Sequence, residues 1–204
     1  MRWSALAAAV ALAATAVGCG GSSSTVTRTI TTDRLPPPDA IGGVRAGALR
    51  QLGDAQAFVD ALYLAGDPTK PAARARLEGA GYAGGELRDQ AGEDPATGIG
   101  LLRTYALLLR DEAAAGAEVD AAVDEVRATT PSAMEIEVPD LPGARGLRAE
   151  VAQAGLSGAV VFVTFAAGPY VYGLQGLSTA EATLPQDEIV AAARDLYERV
   201  TTAP

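Results

Sequence analysis

The chain has 204 residues, a formal net charge of -9, 49% hydrophobic residues, no His and a single Cys. The acid excess leaves no basic stripe to replace the counterions of a nucleic acid and offers no surface attraction to anionic lipid. One cysteine closes no intrachain disulfide and builds no cysteine-rich zinc framework, so neither a metal nor another cofactor is expected.

In chain order the first feature is Met1-Arg2-Trp3, a short positive start, followed over 5–17 by an Ala/Leu/Val run broken only by Thr15. That run is shorter than the roughly 20 apolar residues a spanning helix needs and suits a secretory signal. Two cleavage readings stand side by side. Ala14-Thr15-Ala16 is an A-x-A site that releases a soluble, secreted chain starting at Val17. Ala16-Val17-Gly18-Cys19 matches a lipobox, with cleavage between Gly18 and Cys19 and lipid on the Cys19 sulfur; Ala16 stands where Leu is usual. Gly20-Gly21-Ser22-Ser23-Ser24 and a Thr-rich stretch then lead to Pro36-Pro37-Pro38. Such a segment is a flexible tether stiffened at its end, with a reach of roughly 50 Å when extended. At about 0.8 kcal/mol per buried methylene, two or more acyl chains hold firmly without help from surface charge.

The leader, Cys19, the tether and the Ala/Gly/Arg-rich domain resemble the envelope lipoproteins of actinobacteria. The resemblance implies a signal peptide over 1–18, a lipidated tether over 19–38 and a single extracytoplasmic domain over 39–204, held to the membrane through Cys19. It implies no activity.

In the domain, Asp54 is set to cap a helix over 55–65, and Pro71 opens a second over 71–78 that Gly79 and Gly81 close. A strand is expected over 86–90, and Gly92-Glu93-Asp94-Pro95 reads as a turn. Residues 99–110 fit either element by spacing. A strand followed by a helix over 112–128 avoids a continuous helix of about 30 residues with Gly116 inside it. Alternation over 135–138 predicts a short strand, and Leu141-Pro142-Gly143 a type II turn. Strands over 147–153, 159–166 and 170–178 are joined by connections too short for anything but antiparallel pairing. A last helix over 185–200 carries Asp187 and Glu188 at its start and Arg199 near its end, as the helix dipole favours. The fold class is α+β: an antiparallel sheet with helices packed on one face and a C-terminal helix closing the domain.

Chemical motifs are few. Gly79-Ala80-Gly81-Tyr82-Ala83-Gly84 spells G-x-G-x-x-G, but it follows a helix and precedes a strand, the reverse of a dinucleotide site. Gly155-Leu156-Ser157-Gly158-Ala159 lacks both the spacing of a nucleophile elbow and any His to activate the serine. Glu112, Glu118, Asp120, Asp124 and Glu125 read as a solvated helix face. No catalytic residue is assigned and the chain is read as no enzyme. In a chain with 5% aromatics, Phe165, Tyr170 and Tyr172 gather around one hairpin and form the candidate binding surface. Three functions remain open: a non-catalytic, sensor-like domain that binds an envelope partner or ligand; a carrier of an apolar molecule between membrane and wall; and a hydrolase built on carboxylates of raised pKa.

Overall fold

The computed structural model describes residues 34–202 except 38, 64, 95–97, 154–155 and 180–183, and the side chains of 151–153, 156, 157 and 179 are not described. The expected leader, the Gly18/Cys19 cleavage point and most of the tether lie outside the described residues.

Eleven elements follow in order: β1 Leu49–Leu52, α1 Ala55–Leu62, α2 Lys70–Gly79, β2 Gly84–Ala91, β3 Ile99–Leu108, α3 Glu112–Thr129, β4 Met134–Ile136, β5 Arg145–Gln153, β6 Leu156–Ala167, β7 Tyr170–Thr179 and α4 Gln186–Thr202. Local chemistry sets their ends. The Asp54 carboxylate accepts from the Ala57 amide and opens α1; Asp111 accepts from Ala114 and opens α3. Helix α2 ends in a Schellman turn: Gly81, at φ 73°, donates to Glu78 O at 3.1 Å, and Tyr82 donates to Leu77 O at 3.0 Å. The G-x-G-x-x-G string is therefore a helix end leading into a strand. Gly143 has φ 68° and Ala144 donates to Leu141 O at 3.2 Å, the turn that Pro142-Gly143 requires.

The strands form one seven-stranded antiparallel sheet in the order β1-β2-β3-β7-β6-β5-β4. Residues 99–108 are a strand because both parities are buried. Leu102 and Ala106 enter one core, Tyr105 and Leu107 the other, as a strand between two layers requires. Two details differ from the expectation. β1 carries no alternation across Leu-Arg-Gln-Leu, yet pairs with β2 at the sheet edge. β6 starts earlier than residue 159, with Leu156 facing Gln153 and Ser157 facing Ala152, so the hairpin connection is shorter than 155–158.

Helices α1, α2 and α3 cover one face, with Phe58, Leu77, Val119 and Val123 against Leu87, Tyr105 and Phe162. Helix α4 closes the opposite face, with Ile189, Ala193 and Leu196 against Val161, Val163 and Leu174. Glycines let both layers approach closely. A Cβ on Gly173 would lie 2.1 Å from the Tyr105 ring, and one on Gly176 would lie 2.4 Å from Ile189 Cδ1.

Candidate functional site

Before entering β1 the chain crosses the α4 face of the sheet as a strap, described over residues 34–37 and 39–48. Leu35, Ile41 and Val44 are buried in the same core as α4. Val44 bridges to Gly92, Arg45 donates to Ala91 O at 2.8 Å, and Glu93 donates to Gly43 O at 2.7 Å. Gly43 takes φ 75° at this crossing, a conformation that favours glycine.

Beneath the strap lies a polar row. Leu87 faces the α1–α3 core, so its neighbours Glu86 and Arg88, and Gln90 beyond them, face the strap. All three are buried, Arg88 at 8% exposure. Register carries the row across the sheet: Glu86 stands beside Ala106, Ala106 beside Tyr172, and Tyr172 beside Phe165. Glu86 Oε1 accepts from Gln51 Nε2 at 2.6 Å.

Three arginines from three segments fasten the start of the strap. Arg34 Nη1 donates to the Tyr172 hydroxyl at 3.1 Å, and its guanidinium lies 3.8 Å above the Tyr170 ring, within cation–π range. Arg88 Nη1 donates to Pro36 O at 2.7 Å, and Arg199 Nη2 of α4 donates to Leu35 O. Phe165 stacks on Tyr172 with ring centroids 5.1 Å apart, and Tyr197 meets Phe165 edge-on at 5.7 Å. Burial pushes the Tyr172 phenol above its usual range although Arg34 pulls the other way. Burial lowers the Arg88 pKa and nearby Arg199 lowers it further, only partly offset by Glu86. Burial works most strongly against the charge on Arg34 too, but the Tyr172 hydrogen bond and the charge interactions with Tyr172, Tyr170 and Glu86 together outweigh it and the pKa rises.

The structure thus brings Phe165, Tyr170 and Tyr172 together, but not as an exposed aromatic patch. Phe165 and Tyr172 are fully enclosed, and only Tyr170 is half-buried. The strap and α4 cover the sheet face on which the rings lie, so solvent meets the cluster at Tyr170, Arg34 and Arg199. From sequence, Arg199 has only a helix-dipole role, and Arg34 and Arg88 are assigned none. Arg88 sits in the string Glu-Leu-Arg-Asp-Gln, whose alternation is that of a strand with a wet face.

A second ionic group lies on the other side of the sheet, and it corrects the reading of α3 as a solvated acidic face. Glu118 is 6% exposed. Arg76 of α2 grips it at both oxygens, Nε to Oε2 at 2.8 Å and Nη2 to Oε1 at 3.0 Å, while Arg76 Nη1 reaches Glu125 Oε2 at 2.7 Å. The Tyr63 hydroxyl donates to the same Glu125 oxygen at 3.1 Å. Burial pushes Glu118 upward, and the bonds to Arg76 do not fully offset it. Burial opposes the charge on Arg76, but its two carboxylate partners more than compensate and raise its pKa. This group pins α2 to α3.

An open groove of about 360 Å³ runs between α1 and α2, lined by Gln56, Lys70, Pro71, Arg74, Ala75 and Glu78. Its charges are engaged locally, Lys70 with Asp60 at 2.9 Å and Arg74 with Glu78 at 2.7 Å. Among the described residues no cluster of three or more His, Cys, Asp or Glu is placed to hold a metal ion, and no helix is long and apolar enough to cross a membrane.

No protein-family model matches the chain, and no curated protein matches it. Among solved structures the chain is similar to the extracellular domain of PknH from Mycobacterium tuberculosis, with 12% sequence identity and a TM-score of 0.38 over 77% of this chain and 81% of that one.

Proposed function

We propose that the protein is an extracytoplasmic lipoprotein, anchored by lipid on Cys19, whose folded domain is a non-catalytic binding module. The observation that carries this reading is the junction between tether and domain. The Gly/Ser/Thr segment that follows Cys19 leads directly into Arg34, which is held by Tyr170 and Tyr172 while Arg88 and Arg199 hold the next two carbonyl groups. A domain fastened at the end of a flexible leash is free to reorient at a surface while its core stays closed. The binding surface is the solvent edge of that junction, at Tyr170, Arg34 and Arg199. The close seating of Tyr105 on Gly173 and of Ile189 on Gly176 favours a module that binds at its surface over a carrier with an apolar interior.

The test is the intact mass of the full chain recovered from the membranes of an actinobacterial host. The expected species is residues 19–204 plus acyl chains in the membrane fraction, with Cys19→Ser moving to the soluble fraction. A soluble chain beginning at Val17 would overturn the anchor.

A further inference from the structure

We infer that Arg34, Arg88 and Arg199 form a binding site for a dianionic tetrahedral oxyanion of the phosphate or phosphomonoester class, entered from solvent beside the C-terminal end of α4. The inference specifies the ligand of the binding module proposed above, but it does not depend on lipid at Cys19.

Four observations support it. First, the three guanidiniums come from the strap, a central region of β2 and the last turn of α4; Arg88 and Arg199 hold the consecutive strap carbonyls of Pro36 and Leu35, and Arg34, the residue before Leu35, bonds Tyr172. Convergence from distant parts of the chain is what multidentate recognition of one small group needs. Second, each of the three bonds a neutral oxygen rather than a carboxylate: the Tyr172 hydroxyl, Pro36 O and Leu35 O. Among the described residues Glu86 is the carboxylate whose charge acts on both Arg34 and Arg88, so within that set the three guanidiniums outnumber it. A dianion matches that surplus; a carboxylate would leave part of it. Third, Arg88 is more than nine-tenths buried, and its Nε has no hydrogen-bond partner among the described residues. A buried donor without an acceptor is costly, and a guanidinium that also faces Arg199 is more so. Fourth, there is a way in. Arg199 is exposed and Arg34 is half-buried. The whole chain is acidic, with net charge -9, so a concentrated positive site stands against the general charge balance.

The phosphate could belong to a free ion or to a lipid headgroup at the membrane from which the tether comes. Both sources are tested on the full chain in neutral detergent, with inorganic phosphate as the first probe. Phosphate is expected to raise the melting temperature saturably, beyond the effect of sodium chloride at equal ionic strength. Arg199→Gln and Arg34→Gln should each weaken binding about tenfold or more, as loss of a charged hydrogen bond predicts. Arg50→Gln, an exposed arginine paired with Asp89 on the other face, should bind phosphate like the wild type. Equal binding by all four proteins, or a phosphate effect no larger than that of chloride, overturns the site. The second probe is phosphatidylcholine vesicles with and without phosphatidic acid. Binding that requires phosphatidic acid and is lost in Arg199→Gln assigns the headgroup; phosphate binding without vesicle binding assigns the free ion. The mass of the Cys19 species is read separately, so an absent lipid and an absent oxyanion site give different results.

Discussion

The two faces of the sheet bury arginine in different ways. On the helical face Arg76 lies between Glu118 and Glu125, so the guanidinium is matched by carboxylates and the group ties α2 to α3. On the strap face Arg88 and Arg199 meet backbone carbonyl groups, which satisfy hydrogen bonds but do not cancel charge. The difference teaches that satisfying a cation's donors and neutralising its charge are separate matters. The first arrangement closes on itself and belongs to stability. The second leaves its guanidiniums unmatched by carboxylates among the described residues, with Arg199 exposed to solvent, which is what the inferred oxyanion site uses.

The largest test of this contrast is Arg76→Met. It leaves Glu118 buried without its cation and Glu125 with only the Tyr63 hydroxyl, and should cost about 3–5 kcal/mol in urea unfolding. Next is Gly173→Ala, whose new methyl would collide with the Tyr105 ring and should cost about 2 kcal/mol through overpacking of the same face. Arg88→Met should cost only about 1 kcal/mol, since it removes a poorly neutralised charge along with one hydrogen bond to Pro36 O. If Arg88→Met destabilised as strongly as Arg76→Met, the contrast between the faces would fail. Asp111→Ala should cost about 1 kcal/mol by uncapping α3, and it gives a reference for a change outside both ionic groups.

The smallest effect is a pH dependence peculiar to the helical face. Glu118 has a raised pKa in the folded state, above the ordinary 4.5, so folding takes up a proton there. Its contribution to stability is greatest below that ordinary value and declines as pH rises through the raised one. Urea midpoints measured across this range should show the decline in the wild type, superposed on the other groups, and lose that component in Glu118→Gln.

Much of the fold was legible because its signals are local. Asp54 announces a helix by capping chemistry, Gly81 ends one by its backbone, and short Gly-containing connections oblige β5, β6 and β7 to pair in turn. The gathering of Phe165, Tyr170 and Tyr172 was legible for the same reason, since one hairpin carries all three. Their burial was not, because it depends on the strap and α4; Arg34 of the strap, which bonds Tyr172, lies 138 residues before it. Glu118 reads as one more acid on an acidic helix until Arg76, 42 residues earlier, is brought against it. β1 carries no pattern of its own and exists because β2 offers it an edge. Each of these misses depends on a partner far away in the chain.

The hydrogen bond from Arg199 to Leu35 joins residues 164 positions apart. Bringing such ends together costs about 4–5 kcal/mol of chain entropy by the logarithmic loop law, and the return comes only after β7 has paired with β3 and α4 has docked. The strap can hold to β2 through Val44 and Arg45 earlier, but its start at Leu35 is fastened by Arg199 only then. In a chain synthesised N-terminus first, the start of the strap therefore meets Arg199 only after the final helix has emerged, when the rest of the domain is complete.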